Sequence, residues 1–359
     1  MRVHIHDDGL RFRNGHSFDC DHAIASRLIE LGHDVEVSAP HDARPDVHQG
    51  FRNLGITVRA HYTHNARADS GPDNEKAILT LAASLRETTS AEAWLFPTLT
   101  PQQVVAYSLV ETVPRMLGLT HIDPGDMGRF GGQLWSNGCH RIHERKLPAV
   151  LGAIDPVVGA FTQSWSCGLP VHDLPVPLGG DVRKSPPKKA RVVGFFGHQR
   201  DERGLAMLPG LVHELIGRGY EVVVHDTTAR SRGDHPNLRV IPRFVDDLAG
   251  EMVRCDIVVC LMDRRYYRHR LSGIACFAAA AGIPFAVAAG GLPAVRFGRW
   301  SDAIGVYSEL TVQDVTKTVD ALASNYSAAT ARAAEMSAHW HANHGVHAFV
   351  DGFIDAMGG

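Results

Sequence analysis

The sequence predicts an α/β protein built from two doubly wound parallel sheets, and two observations carry this prediction. Valine-rich runs of strand length alternate with segments of helical spacing along the chain, as expected for a parallel sheet with helices on both faces. One pattern of helix, glycine and valine-rich strand also occurs twice, at 28–37 and 215–224. In each copy the glycine is placed to end the helix in a left-handed cap. Because many α/β proteins repeat this pattern, the likeness alone leaves open whether the two halves are related.

The first half of the chain is predicted to hold six strands and several helices. The strands lie near 2–6, 34–38, 56–60, 93–96, 115–120 and 157–162, and the helical patterns include 74–85 and 101–109. A stretch that is rich in Gly, Pro and Lys and lacks apolar periodicity then predicts an interdomain linker at 179–190.

The second half repeats this alternation. Strands are predicted near 191–196, 221–225, 238–241, 256–260, 284–288 and 303–306, and helices near 204–217, 245–253, 272–281 and 312–325. An apolar stripe predicts a final helix, with Phe349, Val350, Phe353, Ile354 and Met357 on one face. The predicted domains are therefore 1–178 and 191–345, followed by a helix at 346–359 that packs back toward the N-terminal domain.

The composition favours a soluble chain of enzyme size with two domains. Its 359 residues are 44% hydrophobic and 21% charged, with a formal net charge of −3, which argues against a general nucleic-acid binder. The first strand begins without a signal-peptide pattern, and the longest apolar run, 274–289, is too short and too broken to span a bilayer. We therefore expect a cytoplasmic, bacterial-type protein without a transmembrane segment, and leave open a peripheral position at the inner membrane face.

Neither the cysteines nor the histidines predict a metal site. The six cysteines are scattered and are expected to be small buried hydrophobes. Four histidines crowd together near the C-terminus, but their spacing is not that of a zinc-binding helix; they are His339, His341, His344 and His347. We expect these to be solvated surface histidines.

The segment 197–204 is the most informative part of the chain. An apolar strand ends there in a tight basic turn, after which apolar residues recur at helical spacing. Such a turn points backbone amides, a helix N-terminus and the side chains of Arg200 and Arg203 toward the space above the strand. The sequence therefore predicts an anion site at this turn.

Four segments carry a family resemblance, clearest over residues 192–325. They are the turn at 197–204 with its Arg203-Gly204 pair, the strand and loop at 240–248, the strand at 256–261 and the Gly-x-Pro strand with its Gly-Gly turn at 281–293. Together they resemble the glycosyltransferases of GT-B fold, most closely the retaining family 4. In the first half only the residues before the first helix, at 14–16, and the region of His121 are similar to that family.

The resemblance implies two Rossmann-like domains that face each other across a cleft, with both ligand sites at that gap. The catalytic residues that it implies are His121 and Arg203, and Asp123 is implied to contact the acceptor. The residues implied to bind the donor are Gly15, His198, Arg200, Gly204, Phe244, Val245, Arg270, Ser272, Gly273 and Ile274. It implies no metal and no cofactor, with a UDP- or GDP-linked sugar as substrate.

The chain departs from the family at its paired glutamates. Counted back from Gly282, these acids would fall at His269 and Phe277, and neither residue is acidic. Arg268, Arg270 and the amides at 272–274 can still bind phosphate at a helix start. Likewise His198 stands where the family often has arginine, with Arg200 two places on as a possible substitute.

Plainer interpretations of these residues stay open. His121 can be a loop histidine bonded to nearby backbone, Gly15 a plain turn glycine, and the arginine cluster at 264–270 a solvated loop. Aromatic residues such as Trp135, Trp165, Tyr266 and Tyr267 can stack on a sugar or base, although core packing is their commoner role.

The leading hypothesis is a glycosyltransferase that moves a hexose-type sugar from a nucleoside diphosphate sugar to an unidentified acceptor, with retention and without metal. The acceptor can be a glycan, a lipid-linked molecule or a small molecule. Two alternatives remain: a non-catalytic nucleotide-sugar-binding or scaffold protein of the same fold, and a nucleotide-sugar epimerase.

Overall fold

A computed structural model describes residues 1–13, 16–62, 72–121, 123–178, 186–197, 199–226, 235–243, 245 and 247–358. The chain forms two compact units. Unit 1 comprises residues 1–177 together with 344–359, and unit 2 comprises residues 178–343.

Among the described residues, unit 1 contains a seven-stranded sheet in the order β3-β2-β1-β4-β5-β6-β7, with every pairing parallel. Its strands are β1 Arg2–His6, β2 Asp34–Pro40, β3 Val58–Tyr62, β4 Ala93–Phe96, β5 Arg115–Thr120, β6 Ala149–Ala153 and β7 Val171–Asp173. The strand order reverses between β1 and β4, so loops at the carboxyl ends of these two strands diverge and leave space for a ligand.

Among the described helices that connect these strands, two begin at a residue whose side chain caps the first turn. The connecting helices are α1 His16–Glu30, α2 Pro45–Arg52, α3 Pro72–Arg86, α4 Pro101–Leu109, α5 Gly128–Glu144 and α6 Pro156–Trp165, with a 3-10 turn at Pro124–Met127. Thr100 and Gln103 form a reciprocal capping box at the start of α4, which satisfies two backbone donors of the first turn.

The predicted strand at 157–162 is wrong, because these residues lie inside α6. The Asp155 carboxylate accepts a hydrogen bond from Val157 N at 2.8 Å, and Pro156 occupies the first helical turn. This cap and proline start a helix despite the β-branched residues that follow. Strands β6 and β7 were not predicted, and β6 contains a glycine and two alanines, which are weak strand formers.

Unit 2 contains, among its described residues, a six-stranded parallel sheet in the order β10-β9-β8-β11-β12-β13. Its strands are β8 Val192–Phe195, β9 Glu221–Asp226, β10 Leu238–Pro242, β11 Ile257–Val259, β12 Phe285–Ala288 and β13 Ile304–Tyr307. The six strands predicted for this half are confirmed to within two residues at each end. Most of β8, β11 and β12 is buried, as in other parallel sheets covered on both faces.

The helices of unit 2 include a long C-terminal one that the sequence reasoning missed. They are α7 Leu208–Gly217, α8 Leu248–Val253, α9 Arg264–Tyr267, α10 Gly273–Ala281, α11 Leu292–Phe297, α12 Val312–Ser324 and α13 Tyr326–Asn343, with 3-10 turns at Asp201–Arg203 and Gly298–Ala303. The alanine-rich α13 packs on α10, where Ser337 Oγ donates to Ala280 O at 2.5 Å.

The last helix, α14 (Val346–Ala356), belongs to unit 1 although it follows unit 2 in sequence. It packs against α1, and Phe349, Val350 and Phe353 are fully buried. Hydrogen bonds hold both of its ends, since Gly345 N donates to Val176 O at 2.9 Å and the Arg115 side chain donates through Nη1 to Met357 O at 2.8 Å.

A group of buried histidines lies on the first strands of unit 1. The rings of His4 and His6 stack with centroids 4.3 Å apart, and Ser38 Oγ lies within hydrogen-bonding distance of His4 Nε2 and of His61 Nδ1. Burial, and secondarily the charges of His61 and Arg59, lower the pKa of His4 to about 3. The pKa of His6 is also lowered, chiefly by burial. These rings are therefore neutral in the folded protein near pH 7.

Candidate functional site

The candidate site of unit 2 lies at the carboxyl end of β8, where ligands bind in open parallel sheets. Gly197 follows this strand with φ at +87°, a conformation that side chains rarely adopt. A Cβ atom at this position would overlap Nη1 of Arg203 and lie 3.4 Å from Cγ1 of Ile274. The guanidinium of Arg203 therefore rests directly on the glycine backbone, with the start of α10 beside it.

Tyr267 holds two arginines from different segments in one place. Its ring is 2% exposed, and the guanidinium carbons of Arg203 and Arg270 both lie 5.7 Å from the ring centroid, within the range of cation–π attraction. Arg203 Nε also donates to the Tyr267 hydroxyl at 2.8 Å. The tyrosine thus orients Arg203 and brings two positive charges to the same part of the site.

The N-terminus of α10 adds further positive potential beside Arg203. Ser272 is the N-cap residue, and its Oγ accepts from Ala275 N at 3.4 Å. The amides of Gly273 and Ile274 belong to the first turn, whose N–H groups have no partner within a helix, and the helix dipole favours an anion there. Gly273 is exposed, so a phosphate can approach these amides.

The thiol of Cys260 lies under this group of residues and is unsuited to be a nucleophile. Burial raises its pKa to about 12, against smaller lowering effects from the charge of Arg203 and a hydrogen bond with Ser272. Because only the thiolate is reactive, this cysteine contributes to packing.

The resemblance implied six other donor-binding residues. Three of them have described positions, and the other three do not. Arg200 is exposed and forms an ion pair with Glu202 at 3.5 Å. Gly204 ends the 3-10 turn in the left-handed conformation, with φ at +65°, and Val245 is half-buried. Three residues lie outside the described residues: Gly15, His198 and Phe244.

A second candidate site lies in unit 1, at the carboxyl ends of β1, β4 and β5. His121 follows β5, and its Nε2 lies 2.6 Å from the carbonyl oxygen of Pro97, which follows β4. Because a carbonyl only accepts, Nε2 carries a proton. Asp123 is buried and precedes the 3-10 turn at Pro124–Met127.

His121 lines a narrow crevice in unit 1. The remaining lining residues come from the ends of β1 and β4, from α1 and from the end of the segment after β7; they are Asp7, Ser17, Cys20, Asp21, Pro97, Thr98 and Pro177. The crevice does not admit a water-sized molecule in this conformation.

Two acids in this crevice were missed by the sequence reasoning. Asp7 and Asp21 are both fully buried. The Asp7 carboxylate accepts from Gly9 N at 2.6 Å. Within the described part of the chain, its Oδ2 and both oxygens of Asp21 have no donor other than a proton shared between the two carboxyl groups. Burial raises the pKa of Asp21 well above its usual range, and the charge of Asp7 and a hydrogen bond with it act in the same direction.

A sequence signal for these acids does exist. Asp7 directly follows the first strand, two residues before Gly9, at the edge where ligands bind in parallel sheets, and Asp21 lies on the next helix. The pairing itself needs the three-dimensional structure, because helix α1 must bring residue 21 back over the strand end.

The described residues contain neither a membrane-spanning helix nor a cluster of metal-ligating side chains. No helix there is both long and apolar enough to cross a lipid bilayer. Among the same residues, no three or more His, Cys, Asp and Glu side chains are grouped so that they could hold a metal ion.

Comparison with known proteins identifies the fold. The sequence matches no protein-family model, and it matches no curated protein. Solved structures that resemble it include the kitacinnamycin glycotransferase, with 12% identity, a TM-score of 0.67 and 99% coverage of both chains. Sucrose-phosphate synthase from Thermosynechococcus elongatus has 10% identity, a TM-score of 0.73 and coverage of 99% of this chain and 97% of its own.

A third similar structure is the glycosyltransferase VinC in complex with DTDP, with 15% identity, a TM-score of 0.54 and 99% coverage of both chains. At such identities the similarity establishes the architecture alone. The two parallel-sheet α/β units of the present chain, together with these similar structures, confirm the predicted fold class. The chain therefore has the GT-B fold.

Proposed function

We propose that this protein is a glycosyltransferase that takes a sugar from a nucleoside diphosphate sugar, and that Arg203, Arg270 and the start of α10 bind the diphosphate. The observation that carries the proposal is the pair of guanidinium groups on Tyr267, beside free helix amides at the carboxyl end of β8. The GT-B fold and the nucleoside diphosphate named with VinC support the same reading of the site.

The chemistry of sugar transfer explains why such a site is useful. As the bond between the anomeric carbon and the diphosphate breaks, negative charge develops on the leaving phosphate oxygens. Preorganised positive groups lower the barrier when they stabilise this charge more strongly in the transition state than in the bound substrate. Arg203 is held for this task by the Tyr267 hydroxyl, so little reorganisation is needed when the charge appears.

Several finer points belong to the proposal. The donor is a hexose-type sugar linked to UDP or GDP, and the reaction proceeds without metal because the two arginines and the helix supply the positive charge. Retention at the anomeric carbon rests on the resemblance to family 4. Proton NMR of the product's anomeric signal tests retention, and turnover in the presence of EDTA tests independence from metal.

Thermal unfolding with a panel of nucleoside diphosphates tests the donor site. A ligand that binds only the folded state adds ~2.7 kcal/mol of stability at 100 times its Kd. We expect UDP or GDP to raise the melting temperature of the wild type and of Arg254→Ala, a control whose arginine is exposed on the same unit. The shift should disappear in Arg203→Ala.

Turnover is then measured as nucleoside diphosphate released from UDP-glucose and GDP-mannose. We expect Arg203→Ala to lower this rate strongly while its melting temperature without ligand stays close to that of the wild type. Absence of any nucleotide-induced shift in the wild type would contradict the proposed function, and an Arg203→Ala variant with normal binding and turnover would remove this residue from the site.

A further inference from the structure

Two cysteines of unit 1, one on α5 and one just after α6, have no role in the proposed diphosphate site. All six cysteines of the chain lie in its described part; five are buried, whereas Cys167 is exposed. The expectation that all six are buried is therefore wrong for Cys167. Because oxidation of a thiol depends on its exposure, Cys167 is the thiol that an oxidant in solution meets first.

The backbone at Cys167 is unusual for a residue with a side chain. Its φ is +50°, in the left-handed region that glycine or asparagine usually occupies at the end of a helix. Gly168 follows with φ at +89°. Glycine would suit both positions better, so the conformation of this helix end does not account for a cysteine here.

The residues that follow α6 lie along α5. The Cys167 thiol donates to the carbonyl oxygen of Ser136, with Sγ 3.5 Å from that oxygen. One residue further, a Cβ atom at Gly168 would lie 3.1 Å from Cε1 of His143. The chain after α6 therefore passes along α5 from the level of Ser136 toward that of His143, and Cys139 belongs to the turn between them.

The period of the α-helix places Cys139 on the same face of α5. Successive residues turn by about 100°, so positions 136, 139 and 143 fall within about 60° of one another around the axis. This face continues at Gly132, where a Cβ atom would lie 3.3 Å from Cη2 of Trp165. Cys139 is fully buried, as expected for a residue that lies beneath the chain after α6.

The electrostatics of Cys139 agree with this proximity. Burial raises the pKa of the Cys139 thiol, and the negative charge that Cys167 carries as a thiolate raises it further. A charge acts in this way only across a short distance. The raised pKa also keeps Cys139 protonated, and the thiolate is the reactive form. The pair thus combines an exposed thiol that meets oxidants with a buried thiol that is protected from them.

We infer that Cys139 and Cys167 form a redox-sensitive thiol pair that closes to a disulfide in the presence of a two-electron oxidant such as hydrogen peroxide. The pair acts independently of the proposed function. The Cys167 thiolate attacks the peroxide, becomes a sulfenic acid and releases hydroxide. The Cys139 sulfur then attacks the sulfenic sulfur and loses its proton, and water leaves as the disulfide forms. In total the two thiols lose two electrons and two protons, and one peroxide becomes two water molecules.

The second step is expected to be slower than the first. Cys139 has to lose its proton inside the core, where its pKa is raised. The chain after α6 also has to close onto α5, because a disulfide requires Cβ atoms ~3.5–4.5 Å apart. The sulfenic acid of Cys167 should therefore persist long enough to be trapped by dimedone.

The test treats the full-length wild-type protein with hydrogen peroxide. The intact mass, and the number of thiols that react with a maleimide in denaturant, are measured before and after treatment. We expect the mass to fall by about 2 Da, the two hydrogens lost, and the reactive thiols to fall from six to four, with full reversal by dithiothreitol. After digestion, one linked pair of peptides should carry residues 139 and 167.

Three variants separate the two steps. Cys167→Ser should abolish both the mass loss and the linked peptides, because the thiol that starts the reaction is missing. In Cys139→Ala the first step should persist, so dimedone should label residue 167 more strongly than in the wild type. Cys255→Ala is the matched control, because it removes a buried cysteine of unit 2 and should behave like the wild type.

A wild-type protein that keeps six reactive thiols, or that gains only oxygen atoms, would overturn the inference. A link that joins Cys167 to any residue other than Cys139, in the same or in a second copy of the chain, would overturn it as well. These outcomes are read from the wild type, so they stand even when Cys139→Ala does not fold. The assay contains no nucleotide and no sugar, so failure of the proposed function would leave its result unchanged.

Discussion

Replacing Tyr267 with phenylalanine isolates the contribution of a single oxygen atom to the proposed diphosphate site. The change removes the acceptor of the 2.8 Å hydrogen bond from Arg203 Nε and keeps the ring that both guanidinium groups flank at 5.7 Å. Any effect on nucleotide binding therefore reports on how well Arg203 is held, with the charge of the site unchanged.

The size of the effect follows from the geometry. A hydrogen bond to a charged group contributes ~1.5–3 kcal/mol when both partners are buried. Arg203 is only half-buried, so water can replace part of the lost bond, and we expect ~1–1.5 kcal/mol. This corresponds to UDP or GDP binding that is about 5–10-fold weaker. Tyr267→Leu should lose both cation–π contacts as well, at ~0.5–1 kcal/mol each.

Isothermal titration calorimetry with the nucleotide that stabilises the wild type measures these differences. Tyr266→Phe is the matched control, because this neighbour is 59% exposed and the same atom is removed. Wild-type affinity in Tyr267→Phe, together with lost binding in Arg203→Ala, would refute the idea that the tyrosine hydroxyl positions the arginine.

Three further predictions concern backbone conformation, packing and pH. Gly197→Ala should abolish nucleotide-induced stabilisation in thermal unfolding, because its Cβ would overlap Arg203 and its φ is +87°. Gly138→Ala should lower the free energy of unfolding by ~1–3 kcal/mol, since its Cβ would lie 2.7 Å from Val104 Cγ1. Gly210→Ala is the control and should be neutral or stabilising, because the nearest atom to its Cβ would be Val312 Cγ2 at 3.6 Å. The pKa of His4 is lowered to about 3, so between pH 6.5 and 3 the unfolded chain binds a proton at this residue that the folded protein does not, and the free energy of unfolding falls as the pH falls. In urea unfolding, His4→Asn should reduce the dependence of this free energy on pH by up to ~1.4 kcal/mol per pH unit.

The fold of unit 2 was readable from sequence because its strands are short, valine-rich and separated by strong helix signals. The segment 221–225 is an example, since Val222, Val223 and Val224 follow a helix-ending glycine. The segment 157–162 misled the same reasoning, because its β-branched residues look like a strand while the preceding Asp155-Pro156 starts a helix. At such positions the local cap outweighs side-chain propensity.

The candidate sites were predictable only where their residues are close in sequence. The turn at 197–204 and the helix start at 272–274 follow strand ends, so their general place in the sheet could be inferred. The contact between Arg203 and Tyr267 joins residues 64 positions apart, and no periodic pattern encodes it. Asp7 and Asp21 were missed for a similar reason, because each acid alone looks like an ordinary polar residue near a turn.

The return of the chain into unit 1 has a consequence for biosynthesis. Residues 344–359 complete unit 1 by covering α1, but the ribosome makes them after all of unit 2. The nascent N-terminal unit therefore keeps an apolar helix face uncovered while the 166 residues of unit 2 (178–343) are synthesised. Truncation of the chain just before residue 344 would consequently destabilise the half of the molecule that is synthesised first.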